Sequence, residues 1–538
     1  VETLWKIGEA SRRELCYHCG VSAGVARALE QKGILIPFER EVEEEPFPIP
    51  SRPDKNLEGL SLSREQQAAF EGISALMEDG EPHAALLYGV TGSGKTQVYM
   101  KLIQRVLAEG KTAMLLVPEI ALTPQTVARF ERWFGGVCAV IHSGLSSARR
   151  LQEFERVRQG AARIVIGTRS AVFSPLSDIG MIILDEEGES SYKSDASPRY
   201  HAREIAKLRC VRHKAVLVLG SATPSIDSYY RAKKGDYTLF SLRERYAEAE
   251  LPQVYLVDMR EEQRKRNFSP LSGLLQQQLA LNFAQGEQSI LLINRRGYQS
   301  YATCMQCGEV RSCPHCSVAM TYHKANGSLM CHYCGHIEPY SGKCPACGGD
   351  YLRLSGAGTQ KLEDELKLIL PQARLLRMDT DTTSSRQAYE THFAGFARGE
   401  YDILLGTQMI AKGLDFPNVT LVGVVSADNG LYTGDYRSAE RVFSLITQVV
   451  GRSGRSGKTG RAYIQTMDPE HPVLCLAASQ DFEQFYEDEI QARKALGYPP
   501  FLEMVTFGFS GKDEEGTLRA AERTAEILRE TALAAEGI

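Results

Sequence analysis

Residues Gly89 to Thr96 read GVTGSGKT, a G-x-x-x-x-G-K-[ST] spacing between an apolar run, AALLY, and a helix-like run, TQVYMKLIQRVL. In such a loop the backbone NH groups of Gly89, Val90, Thr91, Gly92, Ser93 and Gly94 can face phosphate oxygens. The helix behind adds the positive end of its dipole. Lys95 would neutralise the outer phosphates of a nucleoside triphosphate, and Thr96 would ligate Mg²⁺. A second apolar run, MIILDEEG, ends in Asp185, Glu186 and Glu187. Asp185 is expected to hold the magnesium through water and Glu186 to polarise the attacking water. Far along the chain, QVVGRSGR carries Gln448, Arg452 and Arg455 after a helix-like stretch. Arginines on a facing lobe stabilise a transferring phosphoryl group only when the cleft closes, which couples hydrolysis to movement.

The other chemistry is sulfur. Of thirteen cysteines, eight form four C-x-x-C pairs: Cys304/Cys307, Cys313/Cys316, Cys331/Cys334 and Cys344/Cys347. Glycine follows three of the pairs and allows the turn that aims backbone NH groups at thiolate sulfur. A dithiol redox site needs one pair, not four, and twin hooks of this kind suit tetrahedral zinc. The spacing predicts two Zn²⁺. Fourteen residues separate the second and third pairs, near zinc-ribbon spacing, and five separate the first and second. Nested pairing and alternating, cross-braced pairing both remain open at this level. His315, His323, His332 and His336 lie nearby and are expected to stay outside the coordination, as eight thiolates suffice. Cys16 and Cys19 lack a second pair, so no metal is expected there.

These groups need elements to hold them. Short apolar runs (HAALLYGV, TAMLLVPE, RIVIGT, GMIILDEE, AVLVLGSAT) alternate with helix-length stretches from about residue 60 to 230, the pattern of a parallel sheet wrapped by helices. A second series (SILLIN, ARLLRMD, YDILLGT, VTLVGVV, GRAYIQT) follows between about 287 and 466, and the cysteine block interrupts it after its first strand. The fold class is α/β with two parallel-sheet lobes. Its expected divisions are a helical, winged-helix-like piece at 1–40, an acidic then proline-rich linker at 41–58, the first lobe at 59–232, and the second lobe at 233–303 and 351–489. A zinc-binding insertion would occupy 304–350, and a further domain would begin at 490–538. The chain of 538 residues is 43% hydrophobic and 24% charged, with a net charge of -5. That balance does not mark a polyanion binder, but a local basic groove is all that nucleic acid requires. No apolar run is long enough to span a membrane and the first residues lack a signal-peptide core, so a cytoplasmic fragment of a longer protein is expected.

Eight segments, taken in order, resemble the superfamily-two helicases: SLSREQQ, GVTGSGKT, LVPEIALTPQ, GTRSAVFSP, DEEG, GSATPS, GTQMIAKGLDFPNVTLV and QVVGRSGR. With RYHAREIA and the cysteine pairs, the resemblance narrows to the replication-restart helicases. It implies two RecA-like lobes, ATP and Mg²⁺ as cofactors, Gln66 as a reader of adenine, and unwinding of DNA from 3′ to 5′. It also implies recognition of abandoned forks and partners among primosome proteins, the replicative-helicase loading machinery and single-stranded-DNA-binding protein, with the chain acting as a monomer. Nested zinc pairing is favoured: Cys304, Cys307, Cys344 and Cys347 on one ion, and Cys313, Cys316, Cys331 and Cys334 on the other.

DNA contacts are expected from Ser190 to Arg203, where Tyr192, Tyr200 and His201 lie among Lys193, Arg199 and Arg203 in a composition suited to base stacking. Thr407 and Lys412 would hold a phosphate backbone or communicate with the nucleotide. One departure stands out. The position after DEE, usually histidine in this family, is Gly188, so a side chain expected to bond across to other motifs is missing; a neighbour or water is expected to substitute, and hydrolysis is expected to survive. On that feature rests an alternative reading, a fork-binding loading scaffold with weak ATPase coupling.

Overall fold

The computed structural model describes residues 23–38, 61–118, 124–244, 252–267, 269–293, 359–378, 386–407, 418–433, 435–453, 459–511 and 513–534. Within the remaining stretches it describes 302–304, 307, 309–315, 319–323, 327–331, 335–349, 351–353, 410 and 416. Cys16, Cys19, the 41–58 linker, Cys316, Cys334, Lys412 and Arg455 lie outside the described residues. The chain divides into two compact units, Val1–Pro50 and Ser51–Ile538. In the first, one helix is described, α1 (Ala23–Gln31), with Ala26 buried. The rest of the expected winged-helix-like piece is mostly outside the described residues.

The second unit is built on two parallel sheets. The first has seven strands in the order β3-β4-β2-β5-β6-β1-β7. They are β1 (His83–Gly89), β2 (Thr112–Leu116), β3 (Cys138–Ile141), β4 (Ile164–Gly167), β5 (Ile179–Asp185), β6 (Val216–Ser221) and β7 (Thr238–Leu242). Helices α2 (Arg64–Ala75), α3 (Lys95–Ala108), α4 (Pro124–Phe134), α5 (Ser147–Arg158), α6 (Ala202–His213) and α7 (Ile226–Lys234) accompany them. The inner strands are covered on both faces and therefore read as unbroken apolar runs. Helix α3 turns Val98, Leu102, Ile103 and Val106 into the core at helical spacing.

The second sheet has six strands in the order β15-β16-β9-β17-β18-β8. These are β8 (Gln253–Asp258), β9 (Gln288–Ile293), β15 (Leu375–Met378), β16 (Ile403–Gly406), β17 (Val419–Val425) and β18 (Arg461–Thr466). The helices are α8 (Met259–Arg264), α9 (Gly273–Ala284), α10 (Thr359–Ile369), α11 (Arg386–Ala397), α12 (Ser438–Val450), α13 (Pro472–Ser479), α14 (Phe482–Leu496) and α15 (Glu514–Ala534). The cysteine insertion carries the antiparallel pair β10 (Ala302–Cys304) and β14 (Tyr351–Arg353), and an antiparallel sheet of β11 (Thr321–His323), β12 (Ser328–Met330) and β13 (Ile337–Pro339).

Three strands depart from the sequence reading. β7 pairs with β1, so the first sheet continues past residue 232 to Leu242. β8 pairs with β18 at the edge of the second sheet, so the insertion follows that lobe's second strand rather than its first. β3 is only four residues long. β7 and β8 are edge strands with partly exposed residues, and their mixed composition lacks the apolar run by which inner strands announce themselves. Among the described residues no helix is long and apolar enough to cross a membrane.

The lobes meet along an aromatic seam. Tyr88 on β1 and Tyr229 on α7 pack against Phe482 of α14 with ring centroids 5.4 and 5.1 Å away. Phe443 of α12 stacks on Phe485 at 4.3 Å. Helix α14 runs straight through the expected boundary at residue 490. Arg493, 1% exposed, bonds from it to Glu489 (2.8 Å) and to Glu440 of α12 (2.7 Å).

Candidate functional site

The register of the first sheet places the site. Tyr88 lies opposite Ser221 and Asp185 opposite Gly220, so the carboxyl ends of β1, β5 and β6 share one edge with β6 between the other two. Open α/β sheets bind ligands at such an edge. The phosphate loop leaves β1 and enters α3 through Gly94, whose φ of +80° suits glycine, and where a Cβ would stand 2.3 Å from Gln66 Nε2. Lys95 Nζ donates to the Gly89 carbonyl at 2.7 Å.

Gln66 holds this loop from behind. It is 1% exposed, donates from Nε2 to the Ser93 carbonyl (2.8 Å) and accepts at Oε1 from Ser63 NH (2.9 Å). With Ser63 Oγ accepting from Gln66 NH, the two close a capping box on α2. The residue expected to read adenine therefore has both ends of its amide engaged within the protein.

Asp185 sits partly buried at the end of β5. Burial and the Glu186 charge push its carboxyl up to about 6, against the pull of Lys95 and the Tyr99 hydroxyl. Tyr99, buried on α3, donates to Asp185 Oδ1 at 2.9 Å. Glu186 takes a φ of +47°, unusual for a residue with a Cβ, and its Oε2 accepts from Ser221 Oγ at 3.2 Å.

Beside Gly188, Glu187 bonds across to the segment after β6 and to α6. Its carboxylate accepts from Ser225 NH (2.7 Å), Ser225 Oγ (3.2 Å), Ser228 Oγ (2.9 Å) and Arg203 Nη1 (3.2 Å). A Cβ at Gly188 would lie 3.4 Å from Ser225 N, so the backbone there already abuts the segment that a longer side chain would have reached.

The second lobe closes on this edge. A Cβ at Gly451, between Gln448 and Arg452 at the end of α12, would come within 2.9 Å of the Thr91 side chain. Thr223 Oγ1 and Ser444 Oγ are hydrogen-bonded at 2.7 Å, and Glu440 Oε1 accepts from Ile226 NH at 3.1 Å. Thr91 Oγ1, Ser93 Oγ, Gln97 Oε1, Thr447 Oγ1 and Gln448 Oε1 are buried without protein partners on the two elements that meet. Unpaired buried polar atoms are uncommon in folded proteins, and their concentration here fits a polar ligand such as ATP. The hard oxygens of Thr96, Asp185 and Glu186 suit Mg²⁺.

In the insertion, the thiols of Cys304, Cys307, Cys344 and Cys347 lie within 4.8 Å of one another. The Cys304–Cys347 and Cys307–Cys344 sulfur separations are 3.4 and 3.7 Å. Sulfurs at about 2.3 Å from a tetrahedral zinc lie about 3.8 Å apart, so this donor set fits the ion. Cys313 and Cys331 are buried together with Met320 and Leu329. Around Cys331 the backbone repeats a turn of the outer set: Cys331 NH donates to the His336 carbonyl at 2.9 Å, as Cys344 NH does to Gly349 at 2.7 Å.

The loop expected to meet DNA requires correction. Tyr192 is fully buried with its hydroxyl directed at the carbonyls of Asp185 (2.7 Å) and Leu116 (3.0 Å), so it braces the end of β5 and presents no face for a base to stack on. His201 Nδ1 accepts from Arg203 NH at the start of α6 (3.2 Å); burial, with the Arg203 charge, holds its pKa down to about 4 and the ring neutral. Tyr200 packs edge-on against Phe173 at 4.8 Å with the Arg169 guanidinium 5.9 Å from its ring centroid, while Phe173, Lys193 and Arg199 are exposed. Sequence reasoning also missed Tyr99, which looks like any apolar-stripe aromatic. It missed the second role of Gln66 as well, although S-x-x-Q before an apolar helix is the capping-box signature.

Two parallel-sheet lobes closing over a phosphate loop, with the acidic strand end and the end of α12 beside it, have the architecture of a superfamily-two helicase motor. Sequence models agree: DEAD/DEAH box helicase matches residues 63–232, the helicase conserved C-terminal domain 357–457, and the PriA DNA helicase Cys-rich region 313–339. The structure of RecG bound to a three-way DNA junction shares the fold, with a TM-score of 0.50 at 17% identity over 88% of this chain and 52% of that one.

Replication restart protein PriA of Bacillus subtilis is 48% identical over 516 residues, covering 96% of this chain and 64% of that protein. PriA of Treponema pallidum is 41% identical over 86% of this chain and 69% of its own length, and PriA of Rickettsia conorii 37% identical over 86% and 70%. The chain belongs to the PriA replication restart protein family. It spans 64% of the length of the Bacillus subtilis relative.

Proposed function

We propose that the chain is an ATP-driven DNA helicase motor that moves 3′ to 5′, unwinds DNA at abandoned replication forks and initiates primosome assembly. The observation that carries this reading is the approach of Gly451 to Thr91, which brings the end of α12 onto the phosphate loop. In that arrangement Lys95 and the loop amides would hold the outer phosphates, Thr96 and Asp185 the magnesium, and Glu186 would orient and deprotonate the attacking water. Arg452 and Arg455 would stabilise the transferring phosphoryl group, and Gln448 would line the nucleotide cleft. Mg²⁺ held there would neutralise phosphate charge.

The zinc reading is two ions in nested pairing, Cys304, Cys307, Cys344 and Cys347 on one and Cys313, Cys316, Cys331 and Cys334 on the other. The 1–40 piece is read as winged-helix-like and DNA-binding, and the region from 490 as the start of a further domain. Forked and single-stranded DNA, primosome and helicase-loading proteins and single-stranded-DNA-binding protein are the proposed partners, in the cytoplasm. The alternative is a fork-binding primosome-loading scaffold with weak ATPase coupling; the bonds of Glu187, beside Gly188, to Ser225 and Ser228 support the motor reading.

The test is ATP hydrolysis and strand separation on a forked DNA, comparing the parent chain with Lys95→Ala. Loss of both activities in Lys95→Ala is expected. Unwinding at the parent rate in that variant would sink the motor reading, and stronger stimulation by RNA than by DNA would redirect the substrate.

A further inference from the structure

The Glu187 cluster does more than fill space. Its side chain is fully buried and is met by four donors, and Arg203 adds bonds of its own to Ser225 Oγ (3.2 Å) and Ser228 Oγ (2.9 Å). Burial is costly for both ions, and an apolar pair of the same volume would serve packing as well or better. Helix α7 already has its cap, because Ser225 Oγ accepts from Ser228 NH at 3.2 Å.

What the charges add is direction. Glu187 grips the end of β6 and the segment after it, through its own NH on the Gly220 carbonyl (3.1 Å) and through its carboxylate on Ser225. Between those two grips lie Ser221, which bonds Glu186, and Thr223, which bonds Ser444 across the cleft. Arg203 belongs to the first turn of α6, directly after the loop that carries exposed Lys193 and Arg199.

We propose that Glu187 and Arg203 are positioning residues for ATP hydrolysis: the buried pair clamps the 220–228 segment to the catalytic strand end. It thereby fixes the orientation of Glu186 through Ser221 and the closure of the second lobe through Thr223. The inference rests on the ATPase reading above. Both side chains are turned into the protein, Glu187 fully buried and Arg203 14% exposed, and their bonds run to protein groups, so loss of the clamp should change turnover rather than nucleotide affinity. A displacement of about 1 Å at a reacting group costs on the order of a hundredfold in rate, so a loosened clamp should lower kcat by at least about tenfold.

Glu187→Gln alone leaves the Arg203 cation with only the exposed Glu204 carboxylate, 3.2 Å from its Nε, as an ion partner and risks misfolding. The informative variants are therefore Ser228→Ala, which leaves the ion pair intact, and the double change Glu187→Gln with Arg203→Met, which removes both charges. Steady-state ATPase is measured with and without a single-stranded DNA oligonucleotide, alongside the thermal midpoint. The expected result is a kcat about tenfold lower in the double variant and a smaller fall in Ser228→Ala. KM for ATP should stay within about twofold, and Arg203→Lys, which keeps the charge, should recover part of the rate. A folded double variant with parental kcat, or one in which KM rises while kcat holds, overturns the proposal. A parent chain without ATPase overturns the functional reading and this one together, whereas an active parent with unchanged variants overturns this one alone.

Discussion

Replacing Asp185 by asparagine should abolish ATP hydrolysis yet make the ligand-free protein more stable. The carboxyl is raised from its ordinary 3.8 to about 6, first by burial and then by Glu186. At about 1.4 kcal/mol per tenfold change in proton affinity, that is a cost of about 3 kcal/mol for keeping Asp185 ionised in the folded state. Because the folded state binds this proton more tightly than the unfolded chain does, stability falls as pH rises from about 4 through 6 and the full cost is present above that window. Asparagine carries no such charge and still offers Oδ1 to the Tyr99 hydroxyl, which now stands 2.9 Å from Asp185 Oδ1. The gain should therefore be near zero at pH 4 and about 3 kcal/mol at pH 8, or roughly 5–10 °C for a lobe of this size. Thermal unfolding of both proteins across that range, in magnesium-free and nucleotide-free buffer, measures it. A variant no more stable than the parent at pH 8, or one whose gain does not change with pH, would refute the reasoning.

Other consequences are as specific. Cys331→Ser should lower the zinc content from two ions per chain to one while sparing the outer set; unchanged metal by atomic absorption would refute the inner site. Arg493→Met leaves Glu440 and Glu489 without their shared cation, and should destabilise the packing of α14 on α12 by about 3–5 kcal/mol in urea denaturation. Tyr192→Phe removes the hydroxyl shared between the Leu116 and Asp185 carbonyls at a cost of about 0.5–1.5 kcal/mol, but should leave single-stranded DNA affinity within about twofold by anisotropy. A large loss of affinity would restore the stacking role that burial argues against.

The legible parts of the molecule were those whose chemistry is contiguous. GVTGSGKT, MIILDEEG and the four C-x-x-C pairs each place their working groups within a few residues, so spacing alone exposes them. Inner strands were legible for the same reason: burial on both faces leaves an apolar run. Edge strands β7 and β8 were not, because half of each faces away from the core. Tyr192 was misread because an aromatic among cations has the same composition whether it stacks on a base or fills a core.

The sequence by itself determined the phosphate loop, the acidic strand end, the thiol pairs and the two-lobe α/β plan, all of which depend on local spacing and periodicity. Only the tertiary structure decided that Gln66 braces the loop, that Tyr99 and Tyr192 hold Asp185 from two sides, and that Glu187 ties β5 to Ser225 and Ser228. Each of these joins residues on different elements, from Asp185 and Tyr192 at 7 positions apart to Tyr99 and Asp185 at 86. Such contacts exist because the sheet brings the carboxyl ends of β1, β5 and β6 to one edge, and no spacing along the chain encodes that meeting.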